Sequence, residues 1–241
     1  MSSNPMIKKE INGISLEDSR PMNISGAISK TFILLCIVVV TALYSWNLCS
    51  NGFSDKANLF LIIGAISGLI LAIITAFKPS ASPTTAPIYA ICEGLVVGAI
   101  SFSYGSMYDG IVMNAISITL LALFVMLGLY KAKILQATPA FKKVVFISTL
   151  AIMIFYLAGF IGALMGHPMT IFNGGILGIC LSAGICIIAA LNFVTDFDFI
   201  ERGDGNLPSY FEWYGAFTLL VTLIWLYLEV LRLLAQLSRR D

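Results

Sequence analysis

The chain has 241 residues, of which 59% are hydrophobic and 11% charged, with a formal net charge of +1 and a mean hydropathy of +0.93. A soluble domain carries about 25% charged residues, so this composition excludes a water-soluble globule and points to a polytopic membrane protein whose first partner is the lipid bilayer. Neither the charge balance nor any basic stripe with interleaved aromatics supports a nucleic-acid partner.

In chain order, residues 1–30 read as a mostly polar N-terminal tail and residues 31–238 as a single membrane domain. The tail sets the first apolar run too far from the start for a signal peptide, so that run is expected to be retained. A helix needs about 20 apolar residues to cross roughly 30 Å of hydrocarbon. Seven stretches meet that rule: about 32–48, 59–77, 88–106, 110–130, 144–165, 172–195 and 213–235. The expectation is an all-α bundle of seven transmembrane helices. Pro79, Pro83, Pro87, Pro139, Pro168 and Pro208 all fall in or beside connections, where a missing N–H costs nothing. The spans are therefore expected to be unbroken, unlike the half-helices of many transporters. Gly64 and Gly68 in span two, and Gly94 and Gly98 in span three, have the GxxxG spacing that lets backbones approach closely.

Orientation follows from the cationic residues in the connections. Ten of them (Lys8, Lys9, Arg20, Lys30, Lys78, Lys131, Lys133, Lys142, Lys143 and Arg202) fall on the side of the N-terminus. Four (Lys56, Arg232, Arg239 and Arg240) fall on the other. This favours a cytoplasmic N-terminus. Seven crossings would put the C-terminus outside with three of those four charges, which leaves the course of the last span open. The five cysteines form no CxxC pair, and four lie in apolar runs, so they read as small buried hydrophobes. His167 is the single histidine and has no second one with which to share a metal. No cofactor is expected.

Ionisable groups inside spans are costly and mark function by default. Here they are Glu93, Asp196, Asp198, Glu229 and Arg232. Glu93 lies in "PIYAICEGLVVGAIS", about a turn and a half inside span three; Asp196 and Asp198 end span six in "LNFVTDFDFIERGDG". Glu229 has about four apolar turns before it in "IWLYLEVLRLL". Each has a structural alternative. Asp198 and Arg202 are four apart and can pair where the helix leaves the membrane, a role Asp196 could share. Glu93 can satisfy a neighbouring helix, and Glu229 can be neutralised by Arg232, three residues on. Two carboxylates brought together, one from span six and one from span seven, cannot both ionise cheaply and would share a proton. That makes a proton-sensitive latch. Once ionised, the same oxygens suit a hard cation such as calcium, and Arg232 could compete for Glu229.

At these residues the sequence resembles the Bax-inhibitor-like family (transmembrane Bax inhibitor motif), in particular its bacterial branch. The resemblance runs from "NISGAISKT" through "PIYAICEGLVVGAIS" to "DFDFIERG" and "EWYGAFTLLVTLIWLYLEVLRLL", roughly residues 22–236. It implies a seven-helix bundle with the last helix near its centre, a bacterial inner-membrane location and a pH-sensitive calcium leak controlled by an acidic pair. Carried onto this chain, Asp196 in "TDFDFI" matches the helix-six acid and Glu229 in "LYLEVL" the helix-seven acid. The chain departs from the aspartate pair of the best-known bacterial leak channels in having glutamate at the second position and a longer connection between the two.

Enzymatic readings find no support in the sequence. The GxGD motif of intramembrane aspartyl proteases is missing, "RGDG" at 202–205 having the wrong order, and so are HExxH and a lysine in span seven for retinal. Two non-enzymatic alternatives remain beside a leak channel. One is a non-conducting membrane factor with a membrane-protein partner, such as a modulator of a membrane protease or of stress responses. The other is a proton-coupled cation exchanger, with Glu93 as an extra site.

Overall fold

A computed structural model describes residues 20–52, 54–166 and 175–239 of the chain. His167 lies outside them. Seven helices follow in order: α1 (Ile24–Ser50), α2 (Ser54–Phe77), α3 (Ser82–Gly105), α4 (Ile111–Lys131), α5 (Pro139–Leu164), α6 (Ile176–Gly203) and α7 (Phe211–Ser238). All seven are long and apolar enough to cross a membrane, and no strand occurs among the described residues. At about 1.5 Å per residue, the 28 residues of α7 span roughly 40 Å, so the last helix is long enough for a full crossing.

Two boundaries differ from the sequence expectation, each for a local reason. α1 begins eight residues before the expected first span. The Asn23 side chain caps it by accepting from the Ser25 N–H (2.9 Å), and acids from elsewhere in the chain meet its other free N–H groups. Asn23 N–H donates to Glu212 Oε1 (3.0 Å) and Ile24 N–H to Asp204 Oδ1 (3.2 Å), which suits the positive end of a helix dipole. α3 likewise starts early, after a 3-10 turn over Pro79–Ala81. Pro87 therefore lies inside the helix, not beside it, and Glu93 is about three turns in. Pro87 is the sixth residue of the helix, past the free N–H groups of its first turn, so its missing N–H removes one i→i−4 bond, to the Pro83 carbonyl.

In lipid no hydrophobic effect drives helices together, so close packing and polar contacts must. The two GxxxG motifs do this on two sides of α3, one against α2 and one against α1. A Cβ on Gly98 would stand 2.2 Å from the Ala42 carbonyl oxygen, and one on Gly94 would meet the Val38 carbonyl oxygen of α1 at 2.7 Å. A Cβ on Gly64 would meet the Cys92 carbonyl oxygen of α3 at 2.9 Å. At Gly98 backbone meets backbone, while at Gly94 the Thr41 hydroxyl also fills the space a Cβ would take.

α3 and α7 form the centre, each burying 56% of its span, against 6% for α5. α7 packs against α1, α3, α4 and α6, as expected for a central last helix. Tyr89 and Phe217 meet edge to face across α3 and α7, with ring centroids 5.0 Å apart, and Ser101 Oγ and Tyr227 Oη are hydrogen-bonded at 2.7 Å. Lys30 of α1 pairs with the buried Glu212 of α7, so both helices start at the same end of the bundle. The C-terminal end of α7 therefore lies at the opposite end from the start of α1.

Candidate functional site on the central helix

α7 carries Thr218, Thr222, Glu229 and Gln236 at steps of four, seven and seven residues. A straight helix drifts only about 20° per seven residues, so these side chains form one polar stripe along an otherwise apolar rod. The stripe faces α6 and α5. Thr222 Oγ1 donates to Asp196 Oδ2 (2.6 Å), and Gln236 Nε2 donates to Ser182 Oγ (3.1 Å). Between those two rungs, Tyr156 Oη of α5 donates to Glu229 Oε1 (2.5 Å).

The rungs fix the register of the antiparallel α6–α7 pair. Asp196 faces Thr222 and Ser182 faces Gln236, and the members on each helix are fourteen residues apart. Midway, the register sets the fully buried Ala189 against Glu229. A methyl group leaves the glutamate without an α6 partner, and Tyr156 reaches in from α5 instead.

Glu229 is 2% exposed, a depth at which an unpaired carboxylate would be very costly. Its neutralising partner is Arg232, whose Nη1 lies 3.1 Å from Oε1 and 3.3 Å from Oε2. The same Nη1 donates to Tyr156 Oη (2.8 Å), and the guanidinium stands over the Tyr156 ring, 5.2 Å from its centroid. Glutamate, arginine and tyrosine thus close a three-membered ring of polar contacts. Arg232 also borders a cleft of about 280 Å³ between α3 and α7, with Ser103, Tyr104 and Leu228.

The structure brings α6 and α7 together but not the two acids. Thr222, the partner of Asp196, is seven residues from Glu229, roughly 10 Å along the helix. Direct proton sharing between Asp196 and Glu229, expected from the sequence, is absent from this structure because the register puts a threonine and an alanine opposite them. Arg232 does what the sequence allowed, engaging Glu229.

Asp198 is buried, and Arg202 Nε lies 2.7 Å from its Oδ2, as the four-residue spacing suggested. Lys142 of α5 completes that cluster with a second ion pair, which the sequence did not reveal. Glu93 packs over Gly68 of α2, where an added Cβ would stand 2.9 Å from its Oε1; it sits on the α2–α3 seam, away from the α7 stripe. The five cysteines are free, and no group of metal-ligating side chains occurs among the described residues.

Thr222, Tyr156 and Lys142 were not singled out from sequence. For Thr222 a signal existed, the seven-residue recurrence of polar side chains at 222, 229 and 236. For Tyr156 and Lys142 none did, because their partners lie on other helices.

Seven apolar helices, the central one of which carries a buried polar stripe, define a polytopic membrane protein with an intramembrane polar track. A family model described as Bax inhibitor 1 like matches residues 4–239, nearly the whole chain, and the protein belongs to that family. No curated protein and no solved structure matches it.

Proposed function

We propose that the protein is a proton-modulated cation leak, with calcium as the cargo and the α6–α7 seam as its path. The observation that carries this reading is the polar stripe of α7. It sets two carboxyl groups, Asp196 and Glu229, in line within an apolar membrane domain. Such groups are costly in hydrocarbon, and their place on the central helix seam supports a role beyond tying helices together.

In this reading the two acids act in turn and not as one bridged pair. Asp196, half-buried and bonded to a neutral hydroxyl, is the station a cation meets first from the end where α7 starts. Glu229 is the second, and it is shut: Arg232 neutralises it and Tyr156 covers it. A cation can take the Glu229 oxygens only if the guanidinium turns away toward the cleft lined by Ser103 and Tyr104. Protons compete with cations for both carboxylates, so flux falls as pH falls through the range in which they protonate. The orientation we adopt puts the N-terminus in the cytoplasm, on the ten-to-four distribution of cationic residues.

Calcium uptake into proteoliposomes at several pH values tests this. Wild type is expected to leak more at higher pH, and Asp196→Asn with Glu229→Gln to abolish that dependence. If purified protein conducts no cation at any pH, it is a non-conducting membrane factor. Flux that requires an imposed proton gradient would mark an exchanger.

A further inference from the structure

Beside the α7 stripe, a groove of about 1100 Å³ is bounded by α1, α4, α6 and α7. Its walls are Phe32 and Leu35 on α1 and Leu123 and Leu127 on α4, with Leu220 and Leu223 of α7 beneath. From Leu123 to Lys131 the wall runs about 12 Å down the membrane, within one leaflet of a roughly 30 Å core. One end is apolar. The other, at the turn after α4, is lined by Lys131, Lys133, Arg202, Glu201 and Asp198.

The charges at that rim are unequal in their commitments. Asp198 already holds Lys142 and Arg202, and Glu201 accepts from Tyr130 Oη. Neither Lys131 nor Lys133 is in any ion pair among the described residues. The rim therefore presents two ammonium groups that no ion pair engages among the described residues.

The backbone gives a second observation. α4 ends in a Schellman motif: Ile134 N–H donates to the Leu129 carbonyl (3.0 Å) and Lys133 N–H to that of Tyr130 (3.0 Å). The left-handed residue of that motif is usually glycine. Here it is Lys133, at φ 57°, the one non-glycine residue with positive φ among those described. A side chain there is strained, so lysine occupies a position where glycine is the easier choice. The strain holds an ammonium group at the mouth of the groove.

We infer that this groove binds an anionic phospholipid, its phosphodiester headgroup held by Lys131 and Lys133 and its acyl chains lying between α1 and α4. The occupant is a bilayer lipid, since the wall is too apolar and too open to the membrane for a soluble anion. Each lysine near an anionic lipid is worth about a fivefold change in affinity.

The test is native mass spectrometry of the full chain released from nanodiscs of equal phosphatidylglycerol and phosphatidylcholine, counting retained lipids. Wild type is expected to keep phosphatidylglycerol selectively. Lys133→Gly relieves the strained φ and so keeps or raises thermal stability, yet lowers that selectivity about fivefold. Lys131→Gln with Lys133→Gln lowers it about thirtyfold. Leu127→Trp, which fills the wall and leaves both lysines in place, lowers lipid retention of either kind. Lys78→Gln, at the same membrane face but outside the groove, changes nothing. If Lys133→Gly keeps full selectivity, if Leu127→Trp is without effect, or if Lys78→Gln matches the double variant, the site is refuted and only general surface attraction remains.

Discussion

The seam between α1 and α3 and the edge made by α5 solve the same problem in opposite ways. Along α1–α3 the contact is close, with Gly98 against the Ala42 backbone and Gly94 against the Val38 carbonyl and the Thr41 side chain. α5 buries almost none of its span in protein. It is tied to the bundle by polar side chains instead: Lys142 to Asp198, Thr149 to Asn192 (2.9 Å) and Tyr156 to Glu229. These three anchors are seven residues apart, so they share one face of α5. A glycine seam is held by many small contacts that are all present or all lost. A row of three polar ties can open one tie at a time, and the last of them covers the buried glutamate. The difference locates rigidity at α1–α3 and the capacity to move at α5.

The sharpest way to break the comparison is Gly98→Leu. Even a Cβ there would collide with the Ala42 carbonyl, so the variant is expected to yield no folded protein in detergent, read by size-exclusion profile and thermal melting. Gly128→Ala, where an added Cβ meets nothing within 4 Å, should leave stability within about 0.5 kcal/mol. Equal effects of the two would end the claim that close approach matters. Tyr156→Phe comes next. It removes a hydrogen bond to a charged group and is expected to cost about 1.5–3 kcal/mol, while raising the basal leak by uncovering Glu229. A stable variant with unchanged flux would show that α5 is no gate. Thr149→Val is milder than Tyr156→Phe, at about 0.6 kcal/mol, the mean for a hydrogen bond between membrane helices. Its amide exchange should quicken in α5 and nowhere in α1 or α3; protection lost evenly over the bundle would remove the contrast.

How much of this was legible in the sequence depends on how far apart the partners lie. The seven spans follow from apolar run length, and both GxxxG pairs are found at helix contacts. So are the intrahelical pairs Asp198–Arg202 and Glu229–Arg232, because spacing along one helix fixes which residues are neighbours. Helix starts were harder. α1 begins at Ile24 through an acid 189 residues away, and no local pattern encodes that. Between helices, side-chain chemistry alone cannot set register, so two acids that could have shared a proton turn out to face Thr222 and Ala189. The stripe on α7 was readable in principle, as polar residues recurring every seven positions.

The knot of Lys30, Asn23 and Glu212 ties the first helix to the last across more than 180 residues, with consequences for biogenesis. During synthesis α1 enters the bilayer when α7 does not yet exist. Its cationic side chain and free N–H groups must then be satisfied by headgroups or by insertion machinery until Glu212 emerges. The first helix to be made is thus among the last to be locked, and a ribosome stalled before residue 212 leaves a bundle with an open flank.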